Sequence, residues 1–166
     1  MARGSRLAKV EASLAEAVER ARADRAFVAA VGDVLRGVDA PLAKLAPSCQ
    51  ACGECCHFDQ AAHRLYVTTG ELALLTENLP DGALWAPKRC PYQRDERCTA
   101  RARRPLGCRT FFCDARVGEA CSALYEPAHQ DLCRLHARHG VPYQYRELTA
   151  ALAELRAAAK DRRFLR

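Results

Sequence analysis

The sequence predicts a mainly α protein in which a small irregular Cys-rich centre is packed between N- and C-terminal helices, the whole of residues 1–166 forming a single domain. Three observations carry that expectation. Apolar residues recur at heptad spacing through residues 5–39, a second apolar stripe runs through residues 143–160, and the stretch between 49 and 113 holds eight of the ten cysteines with little periodicity. A chain of 166 residues with a 49% hydrophobic fraction is long enough to bury one core.

The N-terminal segment, 5–39, reads as one long helix. Leu7, Leu14, Ala21, Val28 and Leu35 fall seven apart, Val10, Ala17, Val31 and Val38 fill the complementary positions, and Asp24 is the one polar intruder. Gly32 and Gly37 weaken its last turns and Pro41 stops it. Such a stripe either covers the core, alone or against the C-terminal helix, or pairs with a second copy as a coiled-coil homodimer. Residues 1–10 carry Arg3, Arg6 and Lys9 without an apolar run of signal-peptide length, and Glu11, Glu16 and Glu19 argue against a mitochondrial presequence. Nothing approaches the length of an apolar membrane span. A cytoplasmic protein is expected, in a reducing compartment where thiols bind metal more often than they form structural disulfides.

Cys49, Cys52, Cys55 and Cys56 follow as C-Q-A-C-G-E-C-C. Two-residue spacers turn successive sulfurs toward one point, as in zinc knuckles and iron-sulfur loops. Gly53 supplies a position for positive φ, from which backbone N–H groups can face anionic sulfur. The adjacent pair Cys55 and Cys56 diverges, which suits two sites or one multi-atom cluster better than a single ion. His57 beside them is the one histidine placed to complete an open catalytic zinc site, although a surface or supporting role is the expected one.

The 33 residues between Cys56 and Cys90 form a scaffold that brings the chain back. Leu65, Tyr66 and Val67 make a short strand, Thr68 and Glu71 have capping-box spacing for a helix to about Asn78, and Pro80, Asp81 and Gly82 make a turn. Trp85 is expected in the core or as a lid. The second group is Cys90, Cys98, Cys108 and Cys113, bringing the total to eight, the number that two four-thiolate sites require. Cys121 and Cys133, standing apart, read as small buried hydrophobes. A helix over 127–139 starts near Pro127 and ends before Gly140, and its His129, His136 and His139 are expected to cap or face solvent rather than ligate. The last helix, 143–160, carries Tyr145, Leu148, Leu152, Leu155 and Ala159 on one stripe.

The features C-x2-C-G-x-C-C at Cys49 to Cys56, C-P at Cys90 and Pro91, and C-x6-P-x2-C-R-x-F-x-C from Cys98 to Cys113 together resemble the YkgJ-like cysteine-cluster family, described as a zinc- or iron-chelating domain. The match covers residues 49–113. The family has an Ile-Tyr-like pair where Ala100 and Arg101 stand here, a difference in packing rather than in ligands. The resemblance implies metal binding, and its wider relatives include flagellin lysine N-methylase, which makes methyl transfer the enzymatic alternative. No clear S-adenosylmethionine loop, no phosphate-binding glycine loop and no G-x-S-x-G serve such an enzyme here.

An iron-sulfur cluster, of four-iron type, and Zn2+ both suit thiolate ligands. Between Lys88 and Arg116 lie nine basic and three acidic residues, so this segment alone accounts for the +6 of the chain. That charge offsets an anionic thiolate centre, with Arg109, next to Cys108, as the expected supporting cation. The competing reading, a nucleic-acid-binding zinc module, lacks a finger-type C-x2-C…H-x3-H pattern and an aromatic stacking run. The expectation is a metal-binding protein with a structural or electron-transfer role.

Overall fold

The computed structural model describes residues 12–50, 52–58, 64–78 and 89–164, and is mainly helical with two small sheets. Trp85, the turn at Pro80 to Gly82, and Leu7 and Val10 lie outside the described residues.

The segment expected as one helix is three: α1 (Leu14–Ala23), α2 (Arg25–Gly37) and α3 (Asp39–Leu45). Asp24 makes the break. With φ −90° and ψ 90° it leaves helical space, ends α1, and accepts a hydrogen bond from Phe27 N at 2.9 Å to start α2. Its other oxygen meets His139 Nδ1 at 2.8 Å, a partner 115 residues away. Pro41 does not stop the chain either. It is the third residue of α3, where a backbone N–H has no intrahelical acceptor and its loss costs little. The stop falls at Ala46, in left-handed conformation at φ 46°.

α4 (Thr69–Leu75) packs on α1 and α2, and α2 packs in turn on α6 (Gly118–His139). The approach is closest at Gly70: a Cβ there would lie 2.9 Å from Phe27 Cζ, 3.0 Å from Val31 Cγ2 and 3.2 Å from His136 Nε2. Phe27, Leu35, Leu72, Leu132 and Leu152 are fully buried around it. The apolar faces of α1 and α2 are thus covered by α4, α6 and α7 (Leu148–Phe164) of the same chain. Over the described residues that face packs on the chain's own helices, the arrangement expected of a helix that covers the core.

The capping box at Thr68 and Glu71 forms as expected, and the helix continues as a tighter turn through Thr76–Asn78. The expected strand is β1 (Tyr66–Thr68), and it has a partner that the sequence did not announce. β4 (Tyr145–Glu147) pairs antiparallel with it, Tyr66 opposite Glu147, and Leu148 N donates to Leu65 O at 2.8 Å. Pairing delays the last helix to Leu148, five residues after Tyr143; Leu148, Leu152 and Leu155 are buried, whereas Tyr145 and Ala159 are exposed. α6 begins at Gly118 rather than at Pro127, which lies inside it, and ends at Gly140 in left-handed conformation (φ 62°), as the glycine predicts. Among the described residues no helix is long and apolar enough to cross a membrane.

Candidate metal centre

The two cysteine groups are held together by backbone. Cys90 N donates to Cys56 O at 3.0 Å and His57 bridges antiparallel to Arg89, so the returning chain lies directly along the end of the first group. Residues Gly53 to His57 form a tight 3-10 turn, with Gly53 at φ 73°, as expected. A side chain is excluded there twice over, since a Cβ would stand 2.4 Å from Gln93 Nε2 and 2.6 Å from Glu96 O.

Those two contacts come from a hairpin that periodicity does not predict. β2 (Gln93–Arg94) and β3 (Arg97–Cys98) flank a two-residue turn with Asp95 and Glu96 both at positive φ, 45° and 62°. Gln93 pairs with Cys98 and donates from its Nε2 to Gly53 O at 3.0 Å, so Cys98 is placed across from the first loop by its strand partner. Tyr92 fixes the hairpin's base. Its buried hydroxyl donates to Leu75 O at 3.0 Å, and its own carbonyl accepts from Thr99 N and Thr99 Oγ1, both at 2.8 Å.

Cys108 arrives on α5 (Leu106–Thr110), a five-residue helix preceded by Pro105. No side chain of its own caps it. Leu106 N instead donates to Glu71 Oε1 at 2.8 Å, while Glu71 Oε2 accepts from Thr68 N and Oγ1. One buried carboxylate therefore starts both α4 and α5. α5 lies close on the segment before β1 at Gly107, where a Cβ would be 2.3 Å from Leu65 Cδ1. Cys113 is brought back beside Cys49 by their neighbours: Ser48 N donates to Asp114 Oδ2 at 3.0 Å.

Cys55, Cys56, Cys90, Cys98 and Cys108 line one cavity of about 60 Å³, drawn from both groups, with Phe58, Leu75 and Tyr92 among its apolar walls. Cys90, Cys98 and Cys108 also pack against the hydrophobic core. Cys49, Cys55 and Cys113 are exposed, Cys52 and Cys56 half-buried. Among the described residues, no three Cys, His, Asp or Glu side chains converge on a point that would hold a single ion.

Crowding opposes ionisation of these thiols. Contact with the Cys56 thiol, then burial, pushes Cys55 up; Arg104 eases it only slightly. For Cys56 the bond with Cys55 acts first and downward, but contact with Cys90 and burial outweigh it, and the thiol stands at about 12. Burial comes first at Cys108, followed by repulsion from Cys56 and Cys98. Without a cation these sulfurs hold their protons.

The cation at the cavity is Arg104, not Arg109. Arg109 is 3% exposed and is bound elsewhere: both Asp39 oxygens at 2.7 Å from its Nη1, Arg104 O and Ala102 O from its Nε and Nη2. It ties α5 to α3 and closes the turn before it. Arg104 lines the cavity, and its Nε is buried without a hydrogen-bond partner among the described residues, as is that of Arg103. Arg104, Tyr92, Gln93 and Glu71 are the supporting residues that cysteine spacing alone does not reveal; only the capping box drew attention to Glu71. Much of the basic segment is committed internally, Arg116 to Asp114 and Arg94 to the carbonyls of Pro91 and Gln93.

Cys121 is buried in α6 and Cys133 lies beside Tyr143, away from the cavity. His136 accepts from Gly70 N at 3.2 Å and faces Val141 O at 3.1 Å, His139 pairs with Asp24, and His129 with the Tyr143 hydroxyl at 3.1 Å. Comparison with protein families, with curated proteins and with solved structures found no match to the chain.

Proposed function

We propose that this chain is a thiolate metal-binding protein in which Cys49, Cys52, Cys55, Cys56, Cys90, Cys98, Cys108 and Cys113 hold an iron-sulfur cluster or zinc, in a structural or electron-transfer role. The observation that carries the reading is the cavity lined by five cysteines from the two separate groups together with Arg104, whose buried Nε has no hydrogen-bond partner among the described residues. Its residues suit a thiophilic metal: sulfur is the predominant donor, the remaining walls are largely apolar, and Arg104 supplies positive charge where thiolates would accumulate negative charge. The spacing resemblance to cysteine-cluster chelating domains points the same way.

A bound metal would cross-link the two groups, and as a cluster would also carry an electron. The chain's part is to place and shield the sulfurs. Gly53 and Gln93 fix the first loop, Glu71 fixes the helix bearing Cys108, and Tyr92, Leu75 and Phe58 keep water from the inner thiols. Since thiols must lose their protons to bind, affinity rises with pH.

The test is the full chain isolated anaerobically, with elemental analysis and an absorption spectrum. An iron-sulfur cluster gives brown protein with broad absorption near about 400 nm that bleaches on reduction. Colourless protein with stoichiometric zinc supports the zinc form. Protein without either metal refutes the proposal. Salt-sensitive binding to DNA or RNA, if found, would instead favour a nucleic-acid module.

A further inference from the structure

The eight cysteines are not equivalent in their surroundings. Cys90, Cys98 and Cys108 pack against the hydrophobic core, and Cys56 is bound to that set through its carbonyl, which accepts from Cys90 N at 3.0 Å. Cys49 and Cys113 are exposed and are brought side by side from 64 positions apart by the bond between Ser48 N and Asp114 Oδ2. Cys52 lies on the same loop as Cys49. Cys55 borders the inner cavity but is itself exposed. The Cys55 and Cys56 thiols touch, so the pair stands at the boundary between the two sets, Cys56 half-buried and Cys55 exposed.

We propose that the thiols divide into two four-thiolate sites of different accessibility: a shielded site of Cys56, Cys90, Cys98 and Cys108, and an exposed site of Cys49, Cys52, Cys55 and Cys113 from which metal exchanges with the surroundings. The inference rests on the metal-binding reading and adds the partition and the difference in lability. Each site joins the two sequence groups, so each closes the long loop between them. The inner site is built on the core and opens only when α5 or the hairpin moves. The outer one is held to the rest of the chain by a surface hydrogen bond and by Gly53 packing, and it opens without disturbing the core. Filling either site with Zn2+ releases about four protons to solvent, one from each thiol, and no electrons change hands.

The test uses the full chain, stripped of metal under reducing anaerobic conditions, reloaded with Zn2+ and challenged with a chromophoric chelator. Two zinc ions per chain are expected to leave in two equal phases, at least about tenfold apart in rate because the inner site must first open locally. Cys113→Ser and Cys49→Ser remove the fast phase alone and leave the melting temperature of the zinc-stripped chain unchanged. Cys55→Ser does the same. Cys108→Ser removes the slow phase, and should that variant fail to fold, the exposed-site variants still decide the matter. Release of all zinc in one phase, uptake of fewer than two ions, or loss of both ions from Cys55→Ser or Cys113→Ser overturns the partition. Metal content of the chain as isolated is read separately, so a failed partition with bound metal leaves the metal-binding reading standing, whereas a chain that holds no metal and takes up no zinc ends both.

Discussion

At Glu71 one carboxylate serves two helices, accepting from Thr68 at the start of α4 and from Leu106 N at the start of α5. Glu71→Gln keeps the size but turns an NH2 toward at least one of these donors. The loss expected is about 1–3 kcal/mol, the cost of buried groups left unsatisfied, measured by denaturant titration at neutral pH. No stability change would mean that α5 is held by something else. Gly53→Ala meets both a positive φ and a contact at 2.4 Å, and should cost about 1–3 kcal/mol while weakening metal retention, read by elemental analysis. His136 makes the fold sensitive to acid. Burial holds its pKa below the ordinary histidine value, so the unfolded chain takes up a proton that the folded one refuses. That contribution to stability is complete above the unfolded value of 6.5 and is lost as pH falls from there toward the depressed folded value. Wild type should therefore lose melting temperature between pH 7 and pH 5 more steeply than His136→Asn, which melts lower but with a flatter slope. Equal slopes would remove His136 as the cause.

Among the elements, those set by local chemistry were legible and those set by distant pairing were not. The capping box at Thr68, the strand before it, the glycine stop at Gly140 and the positive φ at Gly53 each depend on a few neighbouring residues, and each appears where the sequence puts it. Asp24 is the opposite case. Within an unbroken heptad pattern it reads as a tolerated polar residue, and only His139 and the packing of α2 against α4 and α6 make it a cap. Asp24→Ala should cost about 1 kcal/mol through loss of the cap alone, seen as a lower unfolding midpoint with unchanged slope. If the helix instead ran on through residue 24, the variant would be neutral or stabilising. β4 was hidden for the same reason, since its partner lies 79 residues away, and so was the choice between Arg104 and Arg109. Sequence adjacency to Cys108 favours Arg109, but α5 turns that side chain to Asp39 and leaves Arg104 at the thiols.

For the whole molecule, the eight-cysteine pattern drew attention to residues 49–113 because thiols do not cluster in two tight groups by core packing alone. The pattern could not say how the groups meet. That depends on the hairpin, on α5 and on the backbone bond from Cys90 to Cys56, which turn a span of 33 intervening residues into one closed loop. Over the described residues the helices pack on one another, and the stability of that shell should depend on bound metal mainly through that loop. The claim that sulfur from both groups forms the centre is tested most directly by X-ray absorption at the metal edge of the anaerobically isolated full chain. A first shell of sulfur alone, at about 2.3 Å, is the predicted result, retained in a variant lacking all the chain's histidines. A shell of nitrogen and oxygen at about 2.0–2.1 Å, or metal that disappears with the histidines while the cysteines remain, would contradict it.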